Sequence, residues 1–87
     1  MKQATVTIVN RAGLQARAAS RLAALCAGFD SAVKIGGERL VDGKSILSLM
    51  MLAAAKGSEL QVIVDGNDEN EAMAAIEALI ADGFGED

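Results

Sequence analysis

Val33-Lys34-Ile35-Gly36-Gly37-Glu38-Arg39-Leu40-Val41 is the stretch on which the fold turns. Val33 and Ile35 predict one strand, and Leu40 with Val41 predicts the next. Gly36-Gly37 between them is a hairpin signal, because glycine accepts the positive φ that such turns need. Two short amphipathic strands joined in this way must lay one face against something else. The segments on either side have a different period and can supply that cover.

Upstream, Ala4 to Val9 alternates Ala4, Val6 and Ile8 against Thr5, Thr7 and Val9, the pattern of a half-buried strand rich in β-branched residues. Asn10-Arg11-Ala12-Gly13 breaks that pattern with loop chemistry. From about Ala16 to Ala27 the period becomes helical. Ala19, Leu22, Ala23 and Cys26 fall at i, i+3, i+4 and i+7 on one face, while Arg17 and Arg21 project elsewhere. Gly28 is well placed to end this helix.

Downstream, Asp42-Gly43-Lys44-Ser45 turns the chain into a short, very apolar helix over Ile46-Leu47-Ser48-Leu49-Met50-Met51-Leu52, ended by Lys56-Gly57-Ser58. Leu60, Val62 and Val64 alternate again as a fourth strand, closed by Asp65-Gly66. Asp68 with Glu71 three residues on reads as a capping box for a last helix. Glu69 and Glu71 in its first turn suit the positive end of the helix dipole, and capping explains these carboxylates without catalysis. Ala72, Ile76, Leu79 and Ile80 are the expected buried stripe, and the chain should leave the helix near Asp82-Gly83. The order is βαββαβα, with no linker, repeat or low-complexity run. It predicts a single α+β domain over residues 1–87, with one sheet covered on one face. A sheet buried on both faces would show unbroken apolar runs instead of alternation.

Composition narrows the chemistry. An 87-residue domain buries only about 60% of its unfolded surface, and the 52% hydrophobic content meets that demand. Phe29 and Phe84 are the only aromatic residues, too few for a base-stacking platform. A formal charge of −4 with no basic tract argues against nucleic acid and anionic membranes as partners. Cys26 is the single cysteine, so no intramolecular disulfide can form; it sits on the buried stripe and is expected to be an inert core thiol. No apolar run approaches the roughly 18 residues of a membrane span, and the N-terminus lacks a signal peptide's continuous apolar stretch. These features predict a soluble, cytoplasmic, monomeric protein without a cofactor. There is no histidine. Phosphohistidine chemistry, histidine metal ligation and imidazole proton transfer are closed to this chain, and with one cysteine so are Cys/His zinc sites.

Two segments carry more polar detail than packing requires. In Asn10-Arg11-Ala12-Gly13-Leu14-Gln15-Ala16-Arg17-Ala18-Ala19 a loop runs into a helix start, where free backbone N–H groups and a partial positive charge favour phosphate. Arg17 would add a cation with bidentate geometry, although its charge opposes the dipole unless an anion offsets it. An ordinary solvated arginine explains the residue equally well. The second segment is Gly43-Lys44-Ser45-Ile46. At a helix start, Ser45 is first an N-cap.

Here the chain resembles a known family. Gly13-Leu14-Gln15-Ala16-Arg17-Ala18 is similar to the Gly-Leu-His-Ala-Arg active-site signature of the HPr phosphocarriers, matching at four of five positions. Gly43-Lys44-Ser45-Ile46 with Met50-Met51-Leu52 is similar to the family's Lys-Ser-Ile helix. Lys56-Gly57-Ser58 and the ending Gly83-Phe84-Gly85-Glu86-Asp87 extend the likeness over nearly the whole chain. The ending and the Met-Met-Leu helix resemble the nitrogen-related, NPr-type branch. The resemblance implies an open-faced β-sandwich, a four-stranded antiparallel sheet covered on one face by three helices, whose acceptor residue caps the first helix. In the family that acceptor is a histidine, which takes a phosphoryl group from Enzyme I and passes it to an Enzyme IIA-type partner. The position of Arg17 stabilises the transferring phosphate.

The mismatch is the acceptor itself. The amide nitrogen lone pair of Gln15 is delocalised into its carbonyl, so it is neither nucleophilic nor basic. Its reach and hydrogen-bonding ends resemble those of a neutral imidazole, which would leave a docking surface intact. The resemblance therefore implies a partner-docking or regulatory variant with no catalytic residue as written, and family members with this replacement and a regulatory role exist. Ala18 stands where proline is commoner, a mild change because alanine is the best helix former. The implied docking residues are Gln15, Arg17, Ser45, Leu47 and Met51, with Enzyme I-type and Enzyme IIA-type proteins as partners. Ser45 is also the implied site of regulatory phosphorylation, which would set about −2 charge beside an apolar face. Core filling is the first account of Leu47, Met50 and Met51, with some left exposed beside Gln15 and Arg17 as a partner patch. Two other readings stand beside this one: a native phosphocarrier in which Gln15 was introduced, and a small-ligand regulatory α+β domain outside any relay.

Overall fold

The computed structural model describes residues 1–86. Strands β1 (Lys2–Thr7), β2 (Ala32–Gly36), β3 (Leu40–Asp42) and β4 (Glu59–Asp65) form one sheet in the order β1-β4-β2-β3. Every neighbouring pair is antiparallel. Helices α1 (Ala16–Ala27), α2 (Ile46–Met51) and α3 (Glu69–Ala81) complete the expected βαββαβα order, followed by a 3-10 turn at Gly83–Gly85. This is the α+β open-faced sandwich. Asp87, the last residue of the family-like ending, lies outside the described residues.

Alternation aligns the inner face. The register sets Val6 opposite Leu60, and Val62 between Ala4 and Ile35, and it sets Val64 beside Val33. All these side chains except the half-buried Ala4 are buried, and with Ala19, Leu22, Ala23 and Cys26 of α1 and Ala72, Ile76 and Ile80 of α3 they form the core. On the other face Gln61 Nε2 donates to Thr5 Oγ1 at 2.9 Å, and Gln3 Nε2 donates to Gln61 Oε1 at 3.3 Å. Cys26 is fully buried, and desolvation pushes its thiol up to about 11; the charge of Lys44 opposes that shift and that of Asp42 adds to it. The thiol therefore stays protonated at neutral pH and is inert, as expected from its place on the stripe.

Several local expectations change. The first strand begins at Lys2 and ends at Thr7, two residues earlier than its alternation suggests. Ile8 is still tied in, donating its N–H to Ser58 O at 2.9 Å and accepting from Gly57 N at 2.7 Å. Gly36 and Gly37 do not take the positive φ expected of them. The first is required for a different reason: a Cβ on Gly36 would lie 1.9 Å from the Arg39 carbonyl oxygen, inside the hairpin. Gly28 caps α1 in the right-handed region, not as a left-handed cap.

Asp68 precedes α3 but makes no side-chain capping bond. Its carboxylate instead accepts from Asp30 N at 2.8 Å, from Ser31 N at 2.9 Å and from the Ser31 hydroxyl, tying the start of β2 to the start of α3. These bonds, the Ser31 hydroxyl foremost, hold its carboxyl below the usual carboxylate range. Glu71 is exposed, while Glu69 Oε1 accepts from Gly66 N at 3.1 Å. On α3, Met73 joins the buried stripe and Leu79 is only half-buried.

The largest departure lies in α2. Leu49 is its one buried residue, whereas Leu47 and Met51 are 69% and 71% exposed and Ile46 and Met50 are exposed as well. Core filling is therefore overturned for Leu47, Met50 and Met51. Six residues make fewer than two turns, and with Leu49 alone turned into the core most of this short helix's surface is left to solvent. The chain also does not simply leave α3 at Gly83. Phe84 is fully buried at φ 58°, flanked by Gly83 at φ 65° and Gly85 at φ 74°. Three successive left-handed residues turn the tail back and seat its aromatic ring in the core.

Two outcomes follow from these contacts. Phe84→Ala should lose about 3–5 kcal/mol of unfolding free energy, measured by denaturant titration, because a fully buried ring is removed. Asp68→Asn should lower the melting temperature at pH 7 and flatten its acid limb. A carboxyl whose folded pKa is depressed contributes stability above its unfolded value of about 3.9, and that contribution is lost as pH falls through the folded value. Thermal melts of both proteins between pH 7 and pH 2 should therefore converge at the acid end.

Candidate functional site

The loop from Ile8 to Gln15 is seated on the segment that joins α2 to β4. Leu14 is buried, and its N–H donates to Ala54 O at 2.8 Å. Gly13, at φ 72°, makes the approach possible, since a Cβ there would fall 2.5 Å from the same carbonyl oxygen. Only glycine satisfies both the dihedral angle and the contact. With Leu14 turned inward, Gln15 is exposed at the N-cap of α1, with φ −92° and ψ −172°. Its carbonyl accepts from Ala19 N at 2.8 Å, whereas its side chain makes no capping bond. The first-turn N–H groups of α1 thus remain available to an outside acceptor, and the carboxamide is free to meet one.

Two shallow clefts meet at Gln15. One is lined by Arg11, Gly13, Gln15, Arg17 and Glu86. Arg17 is exposed, and neither it nor Arg11 forms an ion pair among the described residues. The other cleft is apolar, lined by Ala12, Leu14, Gln15, Met50 and Ala53 to Ala55. Gln15 and Arg17 therefore come together as the sequence suggests. Ser45, Leu47 and Met51 line neither cleft; the α2 residue that does is Met50, which the sequence-based docking set omits. Met51 instead borders a small depression with Arg39, Val41, Ser48 and Leu52.

Ser45 caps α2 as expected, its hydroxyl accepting from Ser48 N at 3.2 Å. Beside it, Lys44 Nζ donates to Phe29 O at 2.9 Å and holds the entry of α2 against the exit of α1. Ser45 is half-buried, and Leu47 projects from the next turn into solvent.

Residues outside the predicted set also shape the site. Asn10 is only 1% exposed; its Nδ2 donates to Gly13 O at 2.9 Å and to Glu86 Oε1 at 2.9 Å. Arg21 donates through Nη1 to the Phe84 carbonyl. No periodicity marks Asn10 or Glu86, because their partners are 76 residues apart in sequence. Ala53, at φ 50°, is a non-glycine residue in the left-handed region at the end of α2. No cluster of three or more metal-binding side chains occurs among the described residues. Nor is any helix among them long and apolar enough to cross a membrane.

Known proteins resemble this chain in sequence and in fold. Residues 2–82 match the family described as the PTS HPr component phosphorylation site. The phosphocarrier protein HPr of Cupriavidus necator is 51% identical, over 99% of this chain and 98% of that protein. The phosphocarrier protein NPr of Escherichia coli K12 is 40% identical over 95% of this chain and 94% of its own length, which supports the likeness to the nitrogen-related branch. The crystal structure of HPr-C-His from Thermoanaerobacter tengcongensis superposes with a TM-score of 0.95 at 34% identity, covering 100% of this chain and 99% of that one. A match of this extent does not favour a ligand-binding domain unrelated to phosphotransfer. The relatives are carriers, not enzymes. Because the family match spans residues 2–82 and the likeness in sequence and fold runs over nearly the whole chain, the chain belongs to the HPr family of the phosphotransferase system.

Proposed function

We propose that this protein docks onto phosphotransferase-system proteins of the Enzyme I and Enzyme IIA types, as a single copy in the cytoplasm, and carries no phosphohistidine. It is a partner-binding or regulatory variant of the carrier. The observation that carries this reading is Gln15 itself, an exposed carboxamide at the N-cap of α1 with no bond to its own helix. Phosphoryl transfer needs a nucleophile at that point, and an amide nitrogen conjugated to its carbonyl is not one. Docking needs shape, charge and apolar contact. Arg17 supplies charge, and Leu47 and Met51 supply exposed apolar surface on α2. Ser45 lies at the base of that helix, where a phosphate would change the charge of the docking face.

The distribution of groups suits partner binding. On one side of Gln15 stand two guanidiniums suited to an acidic or phosphorylated partner group; on the other lies an apolar cleft. Arg11 and Arg17 form no ion pair among the described residues and stand beside a helix N-terminus against the local dipole, and an anion from a partner would relieve that repulsion. Buried apolar anchors from α2 would add the larger part of the affinity.

Incubation with Enzyme I and labelled phosphoenolpyruvate should leave the protein unlabelled, while calorimetric or NMR titration with unphosphorylated Enzyme I shows saturable binding. Label on any residue, or absence of binding to both Enzyme I and a IIA-type protein, would overturn the proposal. Gln15→His should convert the protein into a phosphoryl acceptor, since the surrounding N–H groups and Arg17 are already in place. A variant that binds Enzyme I but stays unlabelled would mean that the site lacks more than its acceptor.

A further inference from the structure

We propose that Asn10 is a positioning residue, whose buried side-chain amide ties the C-terminal turn to the Gly13–Gln15 loop and thereby sets where Gln15 meets a partner. One amide nitrogen spans both sides, donating to Gly13 O and to Glu86 Oε1, each at 2.9 Å. The backbone repeats the connection, with Gly13 N donating to Asn10 O at 3.2 Å. On the tail side the anchor is firm: Phe84 is fully buried, Arg21 holds its carbonyl, and a Cβ at Gly83 would sit 3.4 Å from the Asn10 Cβ. On the loop side, Gly13 leads directly into Leu14, whose N–H bonds Ala54 O, and then into Gln15.

Stability alone does not explain the choice of asparagine. Its Oδ1 is buried without a hydrogen-bond partner among the described residues. An orphaned buried acceptor is unfavourable, so a residue serving only to fill this space would be apolar. What asparagine provides is a neutral double donor, and both N–H groups are used. Glu86 also lines the cleft that contains Gln15 and Arg17, so the same bridge fixes where that carboxylate stands relative to the guanidiniums.

This inference rests on the docking reading for its functional consequence, but its structural half can be read in the free protein. Asn10→Ala should speed amide hydrogen exchange at Gly13 and Leu14, whose N–H groups bond Asn10 O and Ala54 O, by tenfold or more, while amides of β4 change only with global stability. Its affinity for Enzyme I should fall by a similar factor at a temperature where the variant is fully folded. Asp68→Asn, which weakens the fold far from this loop, is the control and should leave that affinity unchanged.

Asn10→Asp gives a signature that loss of stability does not produce. At pH 7 the new carboxylate faces Glu86 and the Gly13 carbonyl and cannot donate, so the bridge opens. As the pH falls, a proton taken up between the two contacting carboxylates restores the bond across to Glu86, although a single O–H cannot also serve Gly13 O. Among the described residues, the other charged side chains that line this cleft or bond the tail are the guanidiniums of Arg11, Arg17 and Arg21. The affinity of this variant relative to wild type should therefore rise as the pH falls. Glu86→Gln, which keeps an acceptor, should retain more affinity than Glu86→Ala. Unchanged exchange at Gly13 and Leu14 in Asn10→Ala would overturn the bridge. Faster exchange with unchanged Enzyme I affinity would overturn its role in docking. Failure of the wild-type protein itself to bind would instead count against the docking reading, leaving the exchange data to decide the bridge.

Discussion

The insertion of β4 between β1 and β2 is the constraint on which the rest of the molecule hangs. Of its inner residues, Val62 and Val64 pair with both neighbours and Leu60 with β1, and all three join the core beneath the helices. Burying each such aliphatic side chain contributes on the order of 1.5–3 kcal/mol. A one-residue slip would turn all three to solvent, so the register is strongly specified. Because β4 comes late in the chain, β1 has no partner until the polypeptide has passed through α1, the hairpin and α2. That passage brings the end of α2 beneath the loop that follows β1.

The functional end of the molecule is a consequence of that passage. Leu14 can bond Ala54 only because β1 and β4 are paired, Thr7 lying opposite Glu59 at the end where both loops emerge. Once Leu14 is drawn inward, Gln15 is left outside at the start of α1 and Arg17 projects beside it. The tail then closes the other side, with Phe84 in the core and Glu86 against Asn10. The site is thus held by three segments far apart in sequence, none of which forms it alone. This framework does not depend on which side chain stands at Gln15, since that side chain makes none of the bonds that build it.

Features governed by periodicity were legible in the sequence. The four strands, three helices, the inward stripe of α1 and the capping role of Ser45 each rest on patterns within a dozen residues. Features governed by competition were not. Asp68 has the residue type and spacing of a capping box, yet two backbone amides and a hydroxyl at Asp30 and Ser31 take its carboxylate. Gly36 looks like a positive-φ turn residue and is instead a place where the Arg39 carbonyl passes too close for any side chain. In α2, hydrophobicity alone could not separate Leu49, which faces the core, from Leu47 and Met51, which face solvent.

The sequence by itself determined the order of elements, the inner faces of β1, β2 and β4, the family, and the closure of phosphohistidine chemistry through the lack of any histidine. Those properties follow from local periods and from residue chemistry, which need no distant partner. Tertiary structure alone decided which apolar residues of α2 remain exposed, that Met50 rather than Met51 borders Gln15, and that Asn10, Phe84 and Glu86 join the C-terminal turn to the site. The physical reason is the same in each case. Burial and hydrogen-bond partnership are settled between segments separated by dozens of residues, and the short polar or apolar stretches involved carry no pattern that names the segment they will meet.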